Sequence, residues 1–165
     1  MAMQRVYTDI AVIGGGVGGC AAALAALEAG SNVILTDEHR WIGGQLTSQL
    51  VPPDEHGWIE QFGRTAAYQR FRTGVRSWYR ERYPLSEPAR QADHFNPGNG
   101  WVSPLCHEPR VALAVLEAML APYRSNGRLL VLTEHRPVAA ILDGKDRIRA
   151  VRLEAERTGG QREVG

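Results

Sequence analysis

Apolar positions along this chain fall into two patterns, short unbroken runs and wider stripes at three- and four-residue steps. Thr8–Ile13 (TDIAVI) is a β-branched run of the kind that forms a strand buried on both faces of a parallel sheet. Cys20–Ala29 is rich in alanine and leucine and predicts a helix, with Gly30 where a helix C-cap falls. Val33–Thr36 reads as a second parallel strand. Residues 58–83 predict a helix, because Tyr68, Phe71, Val75, Trp78 and Tyr79 form a stripe at helical spacing. The stretch from Pro84 to Pro104, dense in Pro, Gly and Asn, predicts a long loop, and a loop of that length in a compact domain tends to cover something. A further helix follows, with Pro109 in its first turn and Val111, Leu113, Val115, Leu116, Met119 and Leu120 on a broad apolar face. The tail predicts a strand at Leu129–Thr133, then short strands near Val138–Leu142 and Ile148–Glu156, with turns at Asp143-Gly144 and Gly159-Gly160. The fold class is α/β, a parallel sheet with a helical insertion and a β-meander.

Between the first strand and the first helix, five of the six positions from Gly14 to Gly19 are glycine. Glycine is costly to order, so such a cluster between regular elements marks a backbone that must turn tightly or come close to a ligand. Gly14, Gly16 and Gly19 fit GxGxxG, a Rossmann-like fingerprint whose glycines turn the chain, admit a pyrophosphate and let the helix pack on the strand. A helix N-terminus there presents unpaired N–H groups to phosphate, which adds Val17 and Gly18 to the candidate contacts. Ala23 and Gly30 continue the small-residue pattern. Asp37, with Glu38 beside it, closes the second strand about 20 residues further on, where an acid accepts from a ribose 2′-hydroxyl and repels a 2′-phosphate. The expected ligand is a dinucleotide without a 2′-phosphate.

Composition narrows this further. With 19 basic and 18 acidic residues in 165, no bulk charge draws the chain to nucleic acid or an anionic membrane. Cys20 and Cys106 lie far apart, outside any CxxC, so neither a disulfide framework nor a zinc knuckle is expected, and a reducing, cytoplasmic setting fits. No run approaches a membrane span.

The stretch Arg40-Trp41-Ile42-Gly43-Gly44, continuing as GGQLTSQ, resembles FAD-dependent oxidoreductases of the glutathione-reductase-like group, whose RxGG-type loop lies along FAD. That likeness implies an FAD-binding domain with Arg40, Gly43 and Gly44 along the cofactor, and Gln45 and Thr47 near the flavin or its ribityl chain. It also implies a backbone contact to the adenine at Val138, where the meander begins. The expected layout is a Rossmann core over 6–50 and 110–137, a helical and loop insertion over 54–108 whose Pro84–Pro104 loop covers the flavin, and a meander over 138–165. The resemblance reaches only the N-terminal part of a family member, short of the strand that returns beside the first one, so the chain is expected to be incomplete.

In a flavoenzyme the cofactor moves the electrons, and the resemblance implies a small-molecule substrate with NAD(P)H or another electron acceptor. Glu55, His56, Cys106 and His107 are the candidate side chains near the flavin, without an assigned catalytic role, and the acidic PDEH segment lacks the second cluster a metal site needs. Three other readings stand beside this one. An NAD-binding dehydrogenase shares the glycines, and a catalytically inactive flavoprotein fragment shares everything. A nucleic-acid module would use Arg64, Arg70, Arg72, Arg76, Arg80 and Arg82, although arginines between aromatic stripes are expected to form a solvated face.

Overall fold

Val33–Thr36 (β3) is buried from end to end, and its position explains why. It is the middle strand of a three-stranded parallel sheet, with Ile10–Ile13 (β2) on one side and Leu129–Leu132 (β4) on the other. The register pairs Val12 with Leu35 and Leu35 with Val131. The computed structural model describes residues 4–165, which fold as two compact units, one built from the residues up to Ile42 with Leu120–Gly165, the other from Gly43–Met119.

In the first unit the helix Val17–Glu28 (α1) follows β2 and buries Cys20, Ala23, Leu24 and Leu27. It ends on a left-handed Gly30, with Gly30 N–H donating to Leu27 O and Ser31 N–H to Ala26 O, the paired bonds of a Schellman cap. Alternation along β3 sends Val33 and Leu35 to one face and Ile34 to the other. Ile34 and Leu132 pack there against Leu153 and Val164 of a second sheet. That sheet holds Gln4–Val6 (β1), His135–Asp143 (β5), Arg147–Ala155 (β6) and Gln161–Val164 (β7), in the order β1-β7-β6-β5. The expected meander is present, and its turns carry left-handed Gly144 and Gly159. The parallel pairing of β1 with β7 joins the two ends of the chain, a contact no local pattern announces.

The first strand has the open edge expected where no strand returns beside it, but it is not the buried strand its composition predicts: β2 lies at the edge of its sheet, with Ile10 39% and Ile13 37% exposed. An apolar run reads alike whether one neighbour covers it or two, and pairing order alone separates these cases.

The second unit holds Ala66–Arg82 (α2), the short helix Glu87–Gln91 (α3) and the first part of Pro109–Ser125 (α4). The helix expected over 58–83 begins later, because Gly63 adopts φ +80 and Thr65 caps α2 by accepting the Tyr68 N–H at 3.2 Å. Phe71, Val75 and Tyr79 are the buried part of the aromatic stripe. Gly74 is where α2 meets α4, since a Cβ there would stand 2.7 Å from Val115 Cγ1. Two arginines depart from the solvated face expected of them. Arg72 is fully buried and Arg76 is 5% exposed.

Candidate functional site

The turn between β2 and α1 is closed to side chains at two of its glycines and held at a third by its backbone conformation. Gly14 sits at φ +106, and its N–H is shared between Thr36 O at 3.2 Å and Thr36 Oγ1 at 3.3 Å. A Cβ on Gly19 would collide with Gly14 O. A Cβ on Gly15 would stand 2.8 Å from Asp37 Oδ2 and 3.1 Å from Ile42 Cγ2. A Cβ on Gly16 or Gly18 meets nothing within 4 Å, as on Gly14, but neither of the two carries the positive φ that reserves Gly14. Gly16 is the N-cap, in extended geometry and without a side chain to cap the helix, and the first bond up α1 runs from Cys20 N–H to Gly16 O at 2.9 Å. The N–H groups of Val17, Gly18 and Gly19 therefore have no partner within the helix, and no acidic residue occupies its first turn. The result is an unspent helix N-terminus facing open space, a fit for a diphosphate.

Asp37 stands at the end of β3, 6% exposed, its backbone held by Leu132 O and by the His135 N–H. Its Oδ1 accepts from the His39 N–H at 2.7 Å and lies 3.1 Å from His39 Nδ1, while Oδ2 faces Gly15. His39 was invisible to sequence reasoning, which had no reason to connect it to Asp37 two residues away. Glu38 and Arg40 are exposed beyond it. Val138, on β5, is 39% exposed beside a bulge between Pro137 and Ala139.

In the second unit, Gly43 at φ +103 and Gly44 at φ +50 open a 3-10 turn over Gly44–Leu46. A Cβ on Gly43 would stand 2.6 Å from Leu116 Cδ1 and 2.9 Å from Thr47 Oγ1. Thr47 is thus a buried support under this loop, and Gln45 is half-buried with Nε2 3.5 Å from Pro52 O. Replacing Gly43 by alanine is expected to destabilise the protein by about 2–4 kcal/mol, from strain at positive φ and overpacking against Leu116, read as a lower urea midpoint at unchanged slope.

The four candidate side chains near the flavin have separate fates within this unit. His56 is exposed and shares ring contacts with Trp58 and Phe62, themselves stacked at 6.1 Å. Glu55 is buried, accepting at Oε1 from Tyr68 OH at 2.6 Å and from Arg72. Cys106 is buried, its N–H bonded to Asn96 Oδ1 at 2.7 Å. His107 places Nδ1 2.7 Å from Leu105 O and its ring edge-on to Phe71, and burial pushes its pKa down despite backbone carbonyls of Leu105 and Leu46 that favour the charged form. Glu55, Glu60, Arg72 and Arg76 form a buried charge network in which Arg72 contacts both glutamates and Arg76 contacts Glu60. His94 Nδ1 lies 3.2 Å from Glu60 Oε2 at its edge. These two arginines are therefore committed internally and offer nothing to a nucleic acid. Among the described residues no cluster of His, Cys, Asp and Glu is arranged to hold a metal, and no helix is long and apolar enough to cross a membrane.

The fold is shared with several solved proteins. Sdh1 of Mycobacterium smegmatis, solved in complex with UQ1, matches 98% of the chain at 16% identity with a TM-score of 0.59. L-proline dehydrogenase from P. horikoshii matches 99% at 18% identity and TM-score 0.50, and the myxobacterial chondrochloren halogenase CndH, a variant of FAD-dependent halogenases, matches 96% at 17% identity and TM-score 0.52. The chain spans 33%, 22% and 35% of those proteins respectively, and at such identities the likeness is one of fold. No curated protein matches it in sequence. The family model described as FAD dependent oxidoreductase matches residues 9–164, nearly the whole chain, and the protein belongs to that family, with FAD as its cofactor.

Proposed function

We propose that the N–H groups of Val17, Gly18 and Gly19 hold the FAD diphosphate and that Asp37 Oδ2 accepts from the adenosine ribose. The single observation that carries this is the contrast among the glycines. Gly15 and Gly19 are closed to a side chain by contacts of the turn and Gly14 is reserved by its positive φ, whereas Gly16 and Gly18 border open space, free of either constraint, at an uncapped helix N-terminus. Glu38, Arg40 and Val138 complete the contacts of this unit, and Gly43, Gly44, Gln45 and Thr47 contribute from the loop for which the family resemblance implies a position along the cofactor. Bound FAD supplies a hydride or electron-pair acceptor, and the protein's own residues supply position and electrostatics. The activity is oxidoreduction between an organic substrate and flavin, with NAD(P)H or another acceptor as the second partner.

An NAD-dependent dehydrogenase would need neither the Gly43-Gly44 loop nor the antiparallel sheet that covers β3 and β4. Heating the purified protein separates the two readings, since release of flavin fluorescence is expected and its absence, with NADH bound instead, would remove FAD from this site. Asp37→Ala is expected to weaken FAD binding by about tenfold to a hundredfold, the worth of a hydrogen bond to a charged group, in a fluorescence-quenching titration of the apoprotein.

A further inference from the structure

The second unit contains a cavity of about 500 Å3 that the cofactor reading does not use. Tyr79, Tyr83, Leu85, Phe95, His107 and Glu108 give it its character, a mostly apolar and aromatic wall with a few polar atoms. That volume and lining suit a small organic molecule. The two tyrosine rings lie 4.7 Å apart between centroids.

The polar atoms narrow the ligand further. Tyr83 OH donates to Glu108 Oε1 at 2.7 Å, and Arg110 Nε lies 3.1 Å from Glu108 Oε2, so this carboxylate is occupied at both oxygens. Burial keeps the His107 imidazole toward its neutral form. The lining therefore offers no unpaired cation, and the charge of an anionic ligand would go unmatched against a mostly apolar wall. Tyr79 is different. Its hydroxyl, in a residue 5% exposed, accepts the Glu108 N–H at 2.8 Å. A phenol also donates, and the Tyr79 proton has no acceptor among the described residues. A buried donor with its accepting role filled calls for an oxygen from outside the protein.

We propose that this cavity is the substrate pocket, and that it takes a neutral, largely apolar cyclic ketone or alcohol whose oxygen accepts from Tyr79. The inference rests on the oxidoreductase reading, because a carbonyl–alcohol pair is what a hydride acceptor interconverts. With FAD bound, oxidation of the alcohol would break its C–H and O–H bonds, the flavin taking the hydride and solvent the hydroxyl proton. Tyr79 holds the oxygen throughout. His107 lines the cavity, and the Leu46 backbone, in the Gly43–Thr47 loop assigned to the cofactor, is among the groups that bias its charge.

Cyclohexanone, with benzoate as the anionic control, tests this on the flavin-loaded protein by saturation-transfer NMR and by the infrared carbonyl stretch. Cyclohexanone is expected to bind with its stretch moved to lower frequency, and benzoate to show no transfer. Tyr79→Phe should weaken cyclohexanone about tenfold and return the stretch to its value in an apolar solvent, with flavin content unchanged. Leu85→Trp, which fills the cavity and leaves Tyr79 in place, should abolish binding and guards against a folding defect in the first variant. An unshifted stretch, equal affinity in Tyr79→Phe, or tighter binding of benzoate overturns the pocket. A yellow protein that ignores cyclohexanone defeats this inference alone, whereas a colourless one that binds it through Tyr79 upholds the pocket and defeats the cofactor reading.

Discussion

Leucine at position 16 strips the flavin from the protein and leaves the melting temperature of the apoprotein where it was. Gly16 has φ −63 and ψ −172, an extended geometry open to any L-residue, and a Cβ there meets nothing within 4 Å. The fold therefore has no use for this glycine, and a substitution into open space is expected to stay within about 0.5 kcal/mol. The same side chain projects into the volume beside the free N–H groups of α1, so affinity for FAD should fall at least about a hundredfold. Gly19→Ala makes the opposite case. Its Cβ collides with Gly14 O, so the turn itself must move, and stability and flavin are lost together. Thermal melts of the two apoproteins beside their flavin absorbance distinguish a residue that admits the ligand from one that builds the turn. Retained yellow colour in Gly16→Leu would end the diphosphate assignment.

Arg72→Ala should be the most destabilising single substitution in the second unit, at about 3–5 kcal/mol in urea denaturation near neutral pH. Removing this guanidinium leaves the Glu55 and Glu60 carboxylates in a site where Arg72 itself is fully buried. The network also sets a dependence on acid. Burial alone would raise the Glu60 pKa, but the hydrogen bond from Arg76 and the charges of Arg72, Arg76 and His94 outweigh it and hold the carboxyl below its ordinary 4.5. A depressed carboxylate contributes stability that is complete above the ordinary value and is lost as pH falls through the lowered one. Stability of the wild-type protein should accordingly decline as pH drops below about 4.5, and Arg72→Ala should flatten that decline. A variant as stable as the wild type at pH 7, or one with the same acid profile, would show that the network is of little account.

Much of the first unit was legible because its signals are local. The Ala-Leu run after the glycines made a helix, Gly30 closed it, and Val33–Thr36 became a strand over the span its apolar residues marked. The glycine-marked turns of the antiparallel sheet were equally readable, since a positive φ is a demand that one residue meets by itself. Within the long segment expected to be loop, Ser86 and Pro88 frame a short helix that the density of turn residues concealed.

The second unit was read less well. Arginines 72 and 76 lie four apart, next to the apolar stripe, and in sequence they are indistinguishable from a solvated helix face. They are buried because Glu55 and Glu60, well upstream of them, fold back to neutralise them. What the sequence determined by itself was everything one segment can specify: the strand–turn–helix–strand order, the conformations reserved for glycine, and the acid at the end of β3. Only the tertiary structure decided that the strands near the two termini pair and which charges are buried. Each of those depends on the arrival of a partner from elsewhere. Periodicity and propensity describe what a segment needs, and only packing determines what it meets.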